Sequence, residues 1–445
     1  MSVSGEHPLG SYILNGTLDH VSPATLQALK EALADILACT VAGAQTEAAR
    51  ITRKFACTEW KNGQSSLIAF PGKLRPAGAA LVNATSANAL DLDDGHRLTK
   101  GHPGAVVFPA VLAAAEEERV NGKGFLTALL IGYEVGIRAG IVAHQWRPEY
   151  HCTGSWGALG AAAGVANILG LTTSAAEQAL GIAEYHSTYS PMMRCIHFPS
   201  MVKDAIAWGS MTGVSSVYLA KEGFTGVPSL FSTEPGLEQV HTLGEIHHIQ
   251  HLYFKTYACC RWAQPAIEGV KEILGEKKMT HQEIDKVVVH TFTESSRLST
   301  KSPQSTEEAQ YNLPFPIAAF LVFGEVGPDQ VLNKLDDVEI LDVMDKIEVQ
   351  IDNDLDRKFP QKACSRVEIL TSKGDLYRSG VVQAKGDYDF PLTATEKREK
   401  FMCLMKPWMG ERKSGKIFEL ICELEKVDDI RELTSPLTFS QRLYN

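Results

Sequence analysis

The stretch CTGSWGALGAAAGVANILGLTTSAA, from Cys152 to Ala176, carries no charged residue. Its centre, GALGAAAGVANILGL (157–171), holds so much Gly and Ala that it would be a weak helix in isolation. Gly, Ser, Thr, Asn and Trp interrupt it, so it does not read as a membrane span. A segment that is small, apolar and helical at once is useful where neighbouring helices approach closely on several sides. That demands a large all-α core, and 445 residues are enough to build one and a second domain besides.

The flanking sequence fits such a core. In SPATLQALKEALADILACTVAG, Ser22 can cap a helix, Pro23 suits its first turn and Gly43 can end it. Ala105–Glu118 and Phe125–Val142 continue the helical pattern. Ser174-Ala-Ala-Glu177 has the form of a capping box, and Met201–Lys221 predicts a further helix stopped by Gly223. Near residue 253 the texture changes. KVVVHTF (286–292), KIEVQI (346–351) and RVEILT (366–371) are β-branched and strand-like, and Ser372-Lys-Gly-Asp375 predicts a hairpin turn. Helical pieces alternate with them at Gln264–Leu274, Phe315–Phe323 and Ile340–Asp345. A second capping box, Thr393-Ala-Thr-Glu396, restarts helix. The expected fold is mainly α: a helical domain over 1–252, an α+β lid over 253–391, and C-terminal helices over 392–445 that return to the first domain.

A net charge of −10 argues against nucleic acid or an anionic membrane as partner. The start, MSVSGEHPLGSYILNGTL, lacks the basic and apolar regions of a signal peptide. Nine cysteines without a CxxC pair suggest a reducing cytoplasm. Cys259 and Cys260 are adjacent, a poor arrangement for a metal or an iron–sulfur cluster.

Four constellations could carry chemistry. ALDLDDGHRLTKGHPGAVVFP (89–109) gathers Asp91, Asp93, Asp94, His96 and His102. Gly95 and Gly101 place them in a loop, and His102-Pro103 opens a helix whose first N–H groups suit an anion. A solvated loop of capping aspartates is one alternative. A divalent-metal site is another, but no second ligand segment of HxH or HExxH type accompanies it. Tyr150, His151 and Thr153 precede the Gly/Ala helix. EYHSTYSPMMRCIHFPSMVKDAIAWGS holds His186, Arg194, His197 and Lys203, the lysine expected inside a helix from near Ser200 and open to pairing with Asp204. YFKTYACCRWAQPAIEG puts Lys255 and Arg261 at the domain boundary, where ligand clefts are frequent. Cations and helix starts at a domain junction suit a small polycarboxylate. Removing a proton from carbon beside a carboxylate builds up charge that only fixed positive groups stabilise.

These segments resemble the MmgE/PrpD family, which includes 2-methylcitrate dehydratase, cis-aconitate decarboxylase and iminodisuccinate epimerase. The resemblance spans nearly the whole chain through ALDLDDGH, GHPGAVVFPAVLAAAE, GYEVGIRAG, HCTGSWGALGAAAGVANILGL, PSMVKDAIAWGSMTGVSSVYLAKEGFTG, FKTYACCRWAQPAIEG and AQYNLPFPIAAFLVFGEV. It implies a helical domain built from both chain ends, an α+β lid, a homodimer, a site between the domains, and no metal or organic cofactor. The family's DxDD aspartate falls on Asp91 and its HPG histidine on His102. The histidine before the Ala/Gly helix falls on His151, and the two site lysines fall on Lys203 and Lys255. Decarboxylase-like members carry Thr where Gly95 stands. Many members carry histidine after the lid lysine, where this chain has Cys260 or Trp262, and Gln264.

The resemblance therefore implies a cytoplasmic, cofactor-free hydro-lyase of dehydratase type acting on a small di- or tricarboxylate. Epimerisation, decarboxylation of a cis-aconitate-like acid and non-catalytic carboxylate binding are the alternatives. His102 is expected to move the proton, with Asp91 orienting it and Lys203 stabilising the charged intermediate. His151, Lys255, Arg194, Cys260 and Gln264 are expected to bind substrate. Arg97, Lys100, Trp262 and Tyr311 are expected to tune specificity.

Overall fold

The computed structural model describes residues 8–147, 149 and 151–438. Its fold is mainly α. Helix α1 (Pro23–Gly43) opens as its sequence predicts: Pro23 lies in the first turn and the Ser22 side chain accepts from the N–H of Thr25. Helices α2 (Pro76–Asn88), α3 (Pro103–Glu118), α4 (Gly122–Trp146), α5 (Thr153–Ile168) and α6 (Ile206–Lys221) complete the body's core. The Gly/Ala segment forms α5, and α3, α4 and α6 pack around it. A Cβ on Gly160 of α5 would stand 2.7 Å from the Cα of Gly136 in α4, so only glycine lets these backbones approach. Trp156, Leu159 and Val165 are buried on the same helix. Each such side chain contributes about 1.5–3 kcal/mol when fully buried. Helix α4 is apolar and long enough to cross a membrane, yet 94% of its apolar window is buried in the protein.

Two local expectations need correction. The helix after α5 is Thr173–His186, capped by Thr172 rather than by Ser174. Thr172 is correctly spaced for its side chain to accept from the N–H of Ala175. The helix expected from Ser200 starts only at Ile206. Lys203 and Ala205 take left-handed φ values of 49° and 54°, which interrupt helix before that point.

The α+β part has a four-strand path. Strands β1 (Gly95–His96) and β2 (Leu252–Tyr253) form a separate short pair, described below. In the main sheet β4 (Ile347–Ile351) runs parallel to β3 (Ile284–Thr291), which pairs antiparallel with β5 (Cys364–Thr371), which pairs with β6 (Leu376–Arg378). The predicted turn after β5 is present, with Gly374 at φ 88°. Helix α7 (Gln264–Glu276) packs on β5, and α8 (Pro314–Phe323) on α7. The Thr393–Glu396 capping box opens α9 (Ala394–Met409). That helix returns to the body: Lys397 pairs with Glu31, and Lys400 donates to Asp35 at 2.6 Å and to the carbonyl of Leu92 at 2.8 Å.

The β1–β2 pair joins the two parts. Gly95 lies opposite Tyr253, and His96 opposite Leu252. The acidic loop of the body is thereby held against the chain that enters the lid. Arg97 reinforces the junction through ion pairs to Asp387, at 2.8 Å, and to Asp389.

Candidate active site

The loop between α2 and α3 does not lie in solvent. Asp91, Asp93 and Asp94 are 1%, 0% and 0% exposed, which removes the solvated-loop alternative. Asp91 takes a left-handed φ of 52°, a conformation that costs energy without glycine and recurs at functional positions. Lys255, three residues beyond the start of β2, meets it from the lid side. Its Nζ donates to the Asp91 carboxylate at 2.7 Å and to the Asp91 carbonyl at 2.8 Å. Both side chains are buried.

His102 caps α3 from the other side. Its backbone N–H donates to Oγ1 of Thr153 at 3.2 Å, at the start of α5. Its Nδ1 lies 2.8 Å from the carbonyl of Asp94. A carbonyl only accepts, so Nδ1 carries the proton and Nε2 keeps its lone pair. Nε2 stands 3.7 Å from Asp91 Oδ1. The ring is thus fixed by one nitrogen and free to exchange a proton at the other. Asp204 supports the arrangement by accepting from both the N–H and the hydroxyl of Thr153. Gly104 is needed here, because a Cβ would come within 2.4 Å of the Asp94 carboxylate.

Electrostatics separate the roles. Burial raises the Asp91 carboxyl, but Lys255, then Lys203 and His102, outweigh it and hold it well below the usual carboxylate range. Asp91 is a permanent anion. Asp94 goes the other way: burial, then Asp35 and Asp93, push it well above that range, so it stays neutral. One of its oxygens accepts from Tyr133 at 3.0 Å. Burial, then the Lys255 charge, lowers His102, leaving a neutral imidazole. Burial raises Lys255's resistance to charging, yet Asp91 reverses this and its ammonium is held on.

A cavity of about 310 Å³ opens over this group, lined by Asp91, His102 and Lys255. Lys100, Arg261 and Arg297 add positive charge against Glu294 and Asp387, the latter paired with Arg261 at 2.6 Å, while Met192, Met193 and Phe359 supply apolar walls. This volume is at the small end for ligand sites. Asp91, Asp93 and His102 offer ligand atoms within 4.8 Å of one another. The Lys255 ammonium, however, already occupies the cation position at Asp91. That charge pattern suits an anionic ligand.

The remaining expected residues are placed unevenly. Cys260 lines the cavity, its thiol pushed to about 12 by burial and then Asp91, so it stays protonated. Gln264 lies at the start of α7 and donates to the carbonyls of Tyr257 and Cys259, both at 3.1 Å. It shapes the Cys259–Cys260 turn from behind. Lys203 is buried behind Tyr311, 5.0 Å from the ring centroid, with its ammonium on Gln310; it is not paired with Asp204. His151 stacks on His144 at 4.1 Å and lines a separate cavity with Arg147 and Tyr189. Its backbone bridges to Pro191, next to the cavity-lining Met192. Arg194 is exposed on a short helix whose Met193 and Ile196 line the main cavity. Arg97, Lys100, Trp262 and Tyr311 line it as well. Tyr150 lies outside the described residues.

Sequence reasoning missed Gln310, which bridges the parts: its amide N–H donates to the carbonyl of Ala89 at 3.0 Å while its oxygen holds Lys203. A glutamine inside EEAQYN carries no local signal of that role. It also missed Tyr253, whose ring fills the space a side chain at Gly95 would need.

Comparison with known proteins matches two family domains in succession along the chain. The MmgE/PrpD N-terminal domain matches residues 7–250, and the MmgE/PrpD C-terminal domain matches residues 257–425. A cis-aconitate decarboxylase-like protein of Aspergillus oryzae is 26% identical, over 92% of each chain. The cis-aconitate decarboxylase of Aspergillus terreus is 23% identical, over 94% of this chain and 93% of its own. The human cis-aconitate decarboxylase is 22% identical, over 94% and 91%. Lys255, in the short segment between the two matched regions, pairs with Asp91 of the first, and with both domains matched in order the chain belongs to the MmgE/PrpD family.

Proposed function

We propose that this protein is a lyase acting on a small tri- or dicarboxylate, with His102 as the group that moves a proton at carbon. The observation that carries the reading is the free Nε2 of a neutral, backbone-fixed imidazole beside a buried Lys255–Asp91 pair. Lys255, with Lys100 and Arg297 on the same cavity, gives carboxylates a cationic surface. The small cavity excludes much of the water that would otherwise screen developing charge.

Decarboxylation of a cis-aconitate-like acid is the finer reading we favour. The bond from carbon to one carboxylate breaks, carbon dioxide leaves, and the electron pair is delocalised toward a remaining carboxylate. Lys255 stabilises that charge, and His102 gives its Nε2 proton to the carbon. A bound polyanion favours the protonated imidazole that this step requires. One proton carrier suffices, and of the three relatives above two are named cis-aconitate decarboxylase and one cis-aconitate decarboxylase-like. Dehydration is the second reading. It asks for a proton taken from carbon and another given to the leaving hydroxyl. The glycine at 95, with Tyr253 against it, favours this reading, because decarboxylase-like members carry Thr there.

The test is a proton NMR assay of purified protein against cis-aconitate, 2-methylcitrate and related acids. Release of carbon dioxide with one new C–H bond supports the favoured reading. Loss of water without carbon dioxide supports the second. Turnover of neither class, with no deuterium exchange in D2O, would refute the lyase proposal.

A further inference from the structure

A second histidine group sits at the junction, outside the proton-transfer machinery. His248 and His251 lie on a 3-10 turn, His248–His251, immediately before β2. Side chains three apart eclipse on such a turn, so both project from one face. His96 reaches the same place because β1 pairs with β2, which sets His96 opposite Leu252. The nearest ring nitrogens of the three lie within 4.8 Å of one another. The His96 and His248 rings meet edge-on at 5.8 Å, and those of His248 and His251 at 6.4 Å.

The second observation is what His96 lacks. Its side chain is 1% exposed, yet neither ring nitrogen has a hydrogen-bond partner, and Nδ1 of His248 has none either. Buried polar atoms in proteins are nearly always satisfied, and an unpaired one costs about 1–3 kcal/mol. A ring nitrogen without a hydrogen-bond partner can offer its lone pair to a cation, the form a metal needs.

We propose that His96, His248 and His251 form a binding site for one divalent d-block cation, with Zn2+ as the ion of choice. Imidazole suits zinc, nickel, copper and cobalt, and disfavours magnesium and calcium. A tetrahedral zinc site with Zn–N of about 2.0–2.1 Å needs ligand nitrogens roughly 3.4 Å apart. From a spread of at most 4.8 Å, the ligand atoms need to draw together by about 1.4 Å at most. Three imidazoles leave a fourth position for water. The cation ties the loop that carries His102 to the chain that leads into Lys255, at the edge of the cavity that His96 also lines.

The test uses the full chain without a histidine tag, stripped with a chelator and titrated with Co2+ as a spectroscopic probe. The expected result is one equivalent bound, with the visible absorption of a four-coordinate site of three nitrogens and one water. His251→Ala should weaken binding on the order of a hundredfold, and His247→Ala should not. Zn2+ should raise the Tm of the wild type and leave that of His251→Ala unmoved. Absence of a stoichiometric site at micromolar Co2+ would overturn the proposal. So would binding that survives His251→Ala, or that is lost in Asp93→Asn alone, which would move the ion to the Asp91–Asp93–His102 group.

Discussion

His102 and His151 look alike in sequence and differ in the fold. Each is followed within a few residues by a Gly-rich helix, in GHPGAVV and HCTGSWG. Each ring uses Nδ1 on a backbone carbonyl at 2.8 Å. The difference lies in what distant segments bring. His102 receives Asp91, Asp93 and a lysine more than 150 residues away, on a cavity. His151 receives a second imidazole, His144, and lies on another cavity. In our proposal that convergence of long-range charge is what marks His102, and not His151, as the proton-transfer group.

The largest expected effect separates these two positions. His102→Gln should lower kcat by about 10²–10⁴, the usual worth of a general acid–base group, with little change in KM. His151→Gln should lose roughly tenfold less of kcat/KM than that, because it reaches the cavity only through its bridge to segment 191–193. Steady-state kinetics on folded variants decide this. Equal losses would break the comparison.

Next comes the buried ion pair on the His102 side. Lys255→Met leaves the Asp91 carboxylate buried and unpaired, which costs about 3–5 kcal/mol of stability. Asp91→Leu with Lys255→Met should restore most of that stability in urea unfolding but not activity. Recovery of activity in the double variant would show that the pair serves the fold alone.

The pH profile sharpens the same comparison. His102 titrates below its ordinary value in the free protein. In the decarboxylation reading it must start protonated, so kcat/KM falls as pH rises through an apparent pKa below about 6.5. In the dehydration reading it must start neutral, and kcat/KM rises through the same range. Either limb, corrected for titration of the substrate, should vanish in His102→Gln and persist in His151→Gln.

The smallest effect belongs to Asp204, behind Thr153. Burial, against its hydrogen bonds to Thr153, raises it to about 7. A raised carboxyl contributes stability that is full below its unfolded value and lost as pH rises through the folded one. Wild-type stability relative to Asp204→Asn should therefore decline between about pH 4 and 7. Urea unfolding at several pH values tests this, and a constant difference would contradict it.

Much of this was legible in the chain. The Gly/Ala run predicted a close-packed central helix, and α5 is that helix. Ser22 and Thr393 announced helix starts because capping is local chemistry. The strands of the α+β part stood out through their β-branched residues. The motif ALDLDDGHRLTKGHPG pointed to Asp91 and His102, and the Lys255 contact joined them. What failed depends on tertiary context. Met201–Ala205 has a helical composition, but left-handed Lys203 and Ala205 break it. Gln310, and the convergence of His96 on His248 and His251, arise from segments more than 100 residues apart, which no local pattern encodes.

The central claim is that Nε2 of His102 exchanges the proton at the reacting carbon. Its most direct test is turnover in D2O, followed by NMR, with wild type and His102→Gln compared at equal substrate occupancy. The wild type should place one solvent deuterium on the reacting carbon. His102→Gln should bind the same acid, keep its Tm within a few degrees and incorporate deuterium slower by at least about a hundredfold. Undiminished deuterium incorporation by a folded, substrate-bound His102→Gln protein would contradict the account.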